Sequence, residues 1–326
     1  MRRNHSNRNR RSRGGGAILL IALGVGLVGC SSAPDPPEAV YDTKNQASRY
    51  ADFGNAHFND AEYEMALRFF ELALEENTTV DNQPGIASNQ NSIGRVYLAV
   101  GRLEAAQSNF RRALEVARRH DAPEPQVQAH SNLAELFLHQ DRTEDAAAEL
   151  QEALRIIADR GLPEDPIVLH NLAVVRMREG ELDEAEGLLR RAAEQNEEAR
   201  SWAELASNHY MLASLASRRG NTERAIEEAR LALEYDKRGE NSPGIAKDLY
   251  ALGTLHRRAG EGESAYDYLQ RALRVTVALN QYEETRRNLR ALVEVASDLG
   301  KSAEAEEYQR QLDLLNEEEE AFVGSD

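Results

Sequence analysis

Small and bulky apolar residues recur along this chain at one fixed spacing. Ala66, Ala106, Ala146, Ala185, Ala225, Ala265 and Ala305 stand 39 or 40 residues apart. Thirteen residues before each lies an apolar residue: Phe53, Ile93, Leu133, Leu172, Leu212, Leu252 and Leu292. The next position is small in every copy except the last, where Val293 stands. Seven residues after the marker comes a second alanine, from Ala73 to Ala272, replaced only by Leu312. A glycine falls between the two halves at Gly101, Gly180, Gly220, Gly260 and Gly300. Apolar spacings of three, four and seven residues predict helices, and glycine supplies the left-handed residue that ends one helix before the next starts. Each unit therefore reads as helix, glycine turn, helix, with small residues where two axes approach and Leu or Phe filling the grooves. A self-similar period of this length is the mark of a repeat architecture, here over residues 47–315. Ala229 and Gln309 replace bulkier residues in the fifth and seventh copies, and such decay at an end is what a capping repeat shows.

Segments such as Ile93-Gly94-Arg95-Val96-Tyr97, Gly101-Arg102-Leu103-Glu104-Ala105-Ala106, Phe110 and Ala113-Leu114 resemble the tetratricopeptide repeat, or TPR. The resemblance implies an all-α, right-handed TPR-like superhelical solenoid of about seven helix-turn-helix repeats. The usual repeat has 34 residues, so the period here is longer and is similar to the kinesin-light-chain type. Joints such as Asp81-Asn82-Gln83-Pro84-Gly85 and Asp121-Ala122-Pro123-Glu124-Pro125 fall between units, where Pro and Gly break helices.

The amino terminus follows a different pattern. Arg2, Arg3, Arg8, Arg10, Arg11 and Arg13 precede an apolar run from Ala17 to Val28, the layout of an export signal at residues 1–29. Twelve helical residues rise about 18 Å, short of a hydrocarbon core of about 30 Å, so a membrane span fits poorly. Leu27-Val28-Gly29-Cys30 resembles the lipobox of bacterial lipoproteins. That resemblance implies acylation of Cys30 as the lipid anchor and an outer-membrane destination facing the periplasm, since Ser31 rather than Asp follows. Cys30 is the one cysteine in the chain, so a processed lipoprotein would keep no free thiol and an oxidising compartment is harmless. Pro34, Pro36 and Pro37 read as a flexible tether over residues 30–46. Glu317 to Glu320 open an acidic tail over residues 316–326.

Composition agrees with a folded helical body, at 41% hydrophobic and 29% charged. The net charge of -17 becomes -23 once the six amino-terminal arginines are removed. Such a surface repels phosphate backbones, which argues against nucleic acid as partner.

Chemistry finds little support. Leu299-Gly300-Lys301-Ser302 imitates the end of a phosphate-binding loop, but position 295 is Val where that loop needs Gly. The eight histidines include no pair four residues apart of the kind a helical zinc site uses. With no serine elbow and no dinucleotide loop, neither catalysis, a metal nor a cofactor is expected.

The remaining question is which helix face the packing leaves over. Counting each repeat from Ala47, Ala87, Val127, Pro166, Ala206, Ala246 and Arg286, packing uses positions 7, 8, 20, 24 and 27. Positions 5, 6, 9, 12 and 13 share another side, which in TPR proteins lines the concave groove. They hold Asn91, Arg95, Asn132, Glu135, Asn171 and Tyr210, the expected binding residues, with Arg178, Arg218 and Arg258 nearby. Groove asparagines in this family often pair with the backbone of an extended peptide; equally, these amides could bond to neighbouring helices. The sequence thus points to a membrane-anchored scaffold or adaptor for a protein or peptide partner of the cell envelope. The alternative is a ligand-binding accessory lipoprotein of an uptake system.

Overall fold

The computed structural model describes residues 37–323, so the export signal and Cys30 lie outside the described residues. Among the described residues there are fourteen α-helices and no strand. The first repeats are α1 (Pro37–Asn59) with α2 (Tyr63–Thr79), α3 (Gln83–Ala99) with α4 (Leu103–Arg119), and α5 (Pro123–His139) with α6 (Thr143–Arg160). Then come α7 (Pro166–Glu179) with α8 (Leu182–Ala199), and α9 (Trp202–Arg218) with α10 (Thr222–Arg238). The last are α11 (Ser242–Arg258) with α12 (Gly262–Ala278), and α13 (Tyr282–Asp298) with α14 (Ser302–Val323).

Each helix packs on the one before and after it, and from α3 to α13 the odd helices also touch one another across repeats. The odd helices therefore form the inner layer of a superhelical solenoid and the even helices the outer one. The alanine markers explain the close pairing: Ala66, Ala106, Ala146, Ala185, Ala225 and Ala265 are fully buried. A side chain at Gly54 would stand 2.6 Å from the Phe70 ring, and one at Gly253 would meet Leu269 at the same distance. The small residue and the bulky one sixteen positions on are thus a matched pair.

Three expectations are corrected. Phe53, placed in the core by the period, is 53% exposed, because among the described residues no helix precedes α1 to cover it. The tether ends earlier than residue 46, since α1 already runs from Pro37. Proline is accepted in the first turn of a helix, where its missing N–H has no partner to lose. At the other end, α14 runs to Val323 through the glutamate run, glutamate being a good helix former.

Every turn holds one residue of positive φ. Within repeats it is mostly glycine, as at Gly101 and Gly220, while between repeats it is Asp81, Asp121, Gly161, Arg200, Glu240 or Asn280. Among the described residues no helix is long and apolar enough to cross a membrane.

Candidate partner-binding surface

The inner layer holds the six residues expected to bind, but it uses them in different ways. Asn91 is buried, and its Nδ2 donates to the Pro125 carbonyl of the next repeat at 3.2 Å. Asn171 is buried too, with Nδ2 donating to the Ser131 carbonyl at 3.2 Å and to Ser131 Oγ at 3.1 Å. Both amides therefore tie one repeat to its neighbour. Asn132 is buried, and no hydrogen bond ties its amide to another described residue. Arg95 lays its guanidinium 5.0 Å from the centre of the Phe58 ring. The arginine ladder is structural as well. Arg178 donates to the Leu138 carbonyl at 2.7 Å, Arg218 to the Met177 carbonyl at 3.0 Å, and Arg258 to Ser217 Oγ at 2.9 Å. In each case the guanidinium reaches back to the end of the preceding inner helix, where the last carbonyls lack partners within the helix.

Glu135 and Tyr210 stand elsewhere, half-buried on the wall of a cavity of about 640 Å³ in the concavity. That lumen is shared by distant repeats: Phe58 and Tyr63 come from the first, Glu135 and His139 from the third, and Glu284 and Arg287 from the seventh. Between them lie Tyr210, Lys247, Asp248, Tyr250 and Asn288. A second hollow of about 320 Å³ opens beside Tyr210, lined by Ser214, Ser217, Arg218, Thr254 and Arg258 among others.

Lys247, Asp248, Arg287 and Asn288 occupy the second and third positions of their repeats, outside the five positions that the period assigned to the concave side. The signal that could have found them is a local oddity. Lys247 is one of four lysines in a chain whose basic residues are otherwise arginine, and Asp248 stands where the neighbouring repeats have Asn208 and Asn288.

In repeats five to seven the third position, Asn208, Asp248 or Asn288, faces a buried polar residue of the preceding outer helix. Asn196 Nδ2 donates to Asn208 Oδ1 at 2.8 Å, and Asn288 Nδ2 approaches Thr276 Oγ1 at 3.5 Å. Between these two joints the facing pair is Asp236 and Asp248, two buried carboxyl groups. Burial raises the pKa of Asp248, and the negative charge of Asp236 raises it further, against the pull of Lys247. Burial also raises Asp236, which Asn241 Nδ2 holds by donating to Oδ1 at 2.7 Å. Two carboxylates this close cannot both ionise without cost, so one proton is retained between them. Asp248 carries it and imitates the asparagines on either side.

The cations of the lumen rest on aromatic faces. Lys247 Nζ lies 3.9 Å from the Tyr210 ring centre, and the Arg287 guanidinium lies 5.3 Å from that of Tyr250. Surrounding protein lowers the pKa of Lys247, which nevertheless points into open space in the lumen. Deeper in the wall, Asn208 Nδ2 sits 2.9 Å from His170 Nδ1, which fixes Nδ1 as the acceptor. Burial, with Lys247 adding to it, pushes the His170 pKa down to about 4, so the ring is neutral.

Comparison with known proteins gives one family. Profiles described as tetratricopeptide repeat match residues 46–119 and 164–238, residues 91–161, and residues 249–281, together more than half of the chain. No curated protein sequence matches it. Among solved structures, the chain is similar to the Rap conjugation gene regulator of plasmid pLS20 in complex with its Phr peptide. The TM-score is 0.62 and the identity 18%, over 92% of this chain and 82% of that one. A Rap protein complexed with competence and sporulation factor gives a TM-score of 0.61 at 16% identity, over 86% and 79%. The STAND protein with a tetratricopeptide repeat sensor from Pyrococcus horikoshii gives 0.59 at 15% identity, over 83% of this chain and 40% of that one. At these identities the likeness is one of fold.

Proposed function

Because this chain belongs to the tetratricopeptide-repeat proteins and its inner layer encloses a polar and aromatic lumen, we propose that it is a lipid-anchored adaptor. On this reading it works in the bacterial cell envelope, facing the periplasm from the outer membrane, and binds a segment of a partner protein rather than catalysing a reaction. The observation that carries the reading is the lumen itself. It runs across repeats from Phe58 to Arg287, so an elongated occupant could touch several repeats in turn. Two proteins of similar fold were solved with something bound, the Rap protein with competence and sporulation factor and the pLS20 regulator with the Phr peptide, and the second of these supports a polypeptide over a small solute.

Anchoring rests on Leu27-Val28-Gly29-Cys30 after the arginine-rich start. The folded body begins at Pro37, so six residues of chain, Ser31 to Pro36, would separate it from the acylated Cys30, a reach of at most about 25 Å when extended. The adaptor would stand close to the bilayer surface. The test is crosslinking and affinity recovery of the acylated protein from its own membranes, together with Cys30→Ala. The variant is expected to leave the membrane pellet or to stall as an uncleaved precursor. Its recovery in the same membrane fraction at mature size would refute the anchor, and recovery of no protein partner would refute the adaptor.

A further inference from the structure

We propose that the lumen at repeats five to seven takes an acidic segment of the partner chain, whose carboxylates seat on Lys247 and Arg287. This rests on the adaptor reading and adds the chemistry of what is held. The two cations form one arrangement used twice. Lys247 lies over Tyr210 and Arg287 over Tyr250, with each member forty residues from its counterpart. A ring face steadies a cation without neutralising it.

Lys247 is left without a counter-ion: no carboxylate among the described residues lies within ion-pair distance of it. Its neighbour in sequence, Asp248, is turned away from the lumen's solvent, 1% exposed and set against Asp236. Arg287 has only the loose approach of Glu284 Oε1 at 3.6 Å from its Nη2. The adjoining hollow adds Arg218, Arg258, Ser214, Ser217 and Thr254 and has no Asp or Glu in its lining.

A cation held in a partly desolvated cavity gains most from an anion that replaces the missing water. The rest of the molecule sharpens this preference. The chain carries a net charge of -17 and the lumen wall also holds Glu135 and Glu284, so an acidic segment is accepted only where Lys247, Arg287 and the acid-free adjoining hollow offset that charge. Neighbouring helices stand about 8–10 Å apart and an extended chain advances about 3.4 Å per residue. Acidic side chains two or three residues apart can therefore reach both cations.

The test uses the full chain and fluorescein-labelled hexaglutamate, with hexaglutamine as the neutral counterpart and free glutarate as the small-molecule arm. Hexaglutamate is expected to bind about tenfold tighter than hexaglutamine. Lys247→Met and Arg287→Met should each remove most of that difference while circular dichroism and melting stay at the wild-type values, and Lys247→Arg should retain it. Because the chain has only four lysines, amine acylation read by mass spectrometry gives a second measurement. Bound hexaglutamate should shield Lys247 and leave Lys44, Lys237 and Lys301 as reactive as before. Equal affinity for the two peptides, an unshielded Lys247, or equal protection by free glutarate would overturn the proposal. A recovered partner whose bound segment lacks acidic residues would overturn it too, while leaving the adaptor reading in place.

Discussion

Asn171 donates to both the carbonyl and the hydroxyl of Ser131 one repeat away, at 4% exposure. A mid-helix asparagine costs a few tenths of a kcal/mol in propensity, and these bonds more than offset it. Asn171→Ala is therefore expected to lower unfolding stability by about 0.5–1.5 kcal/mol, measured by urea denaturation. A variant as stable as the wild type would mean that the amide is spent on something other than repeat docking. Asp248, 1% exposed, leads to a pH prediction. Both carboxyls of the Asp236–Asp248 pair have folded pKa values raised by burial, with Glu204 raising Asp236 and Lys247 lowering both. The folded state thus binds protons more tightly than the unfolded one. The pair's stabilising contribution is complete below the unfolded carboxylate pKa near about 4 and is lost as pH rises through the folded values. Urea midpoints should fall from mildly acidic to alkaline pH, and Asp248→Asn should remove most of that slope, since it installs the residue that Asn208 and Asn288 already provide. An unchanged slope would place the titrating group elsewhere.

At the scale of helices and turns, the joints between repeats carry avoidable strain. Arg200 closes α8 with φ at +56°, a conformation that costs a residue with a side chain about 1–2 kcal/mol relative to glycine. Its side chain is exposed and makes no hydrogen bond or ion pair with another described residue. Arg200→Gly should raise stability by about 0.5–1 kcal/mol after the extra freedom of glycine in the unfolded chain is counted, a shift visible in thermal melts. The same joints show what a sequence does and does not display. The turns inside repeats were legible because glycine recurs there. The joints share the same left-handed residue, but Asp81, Asp121, Arg200, Glu240 and Asn280 have no side-chain type in common to announce it. The alanine markers were legible because close packing admits little else. Asn91 and Asn171 sit at the phase expected of them, yet phase alone does not say whether an amide meets a ligand or the next helix. Lys247 and Arg287 are not legible in a single period because the concave side is set by the small rotation from each repeat to the next, which accumulates over the array.

Over the whole repeat domain, this accumulated rotation brings the first and last repeats to one cavity. Phe58 and Tyr63 line it together with Glu284 and Arg287. The charge of Glu284, after burial, helps to raise the pKa of the Tyr63 phenol, so the two ends are within electrostatic reach. A lumen bounded in this way admits a chain segment by one of two routes: threading along the axis, or passing sideways where the ends approach. The single cysteine of the sequence makes the distinction testable, because Cys30→Ser gives a thiol-free background. In that background Tyr63→Cys combined with Glu284→Cys should be joined within one molecule by a short bismaleimide, giving a faster-running band on a denaturing gel. Tyr63→Cys with Arg155→Cys, the latter exposed on outer helix α6, should not be joined. If segments pass sideways, crosslinking before hexaglutamate is added should slow its association, and crosslinking afterwards should slow its release. Threading predicts little change in either rate. If the first pair does not crosslink at all, the ends do not meet in solution, and the partner site is an open groove rather than an enclosed lumen.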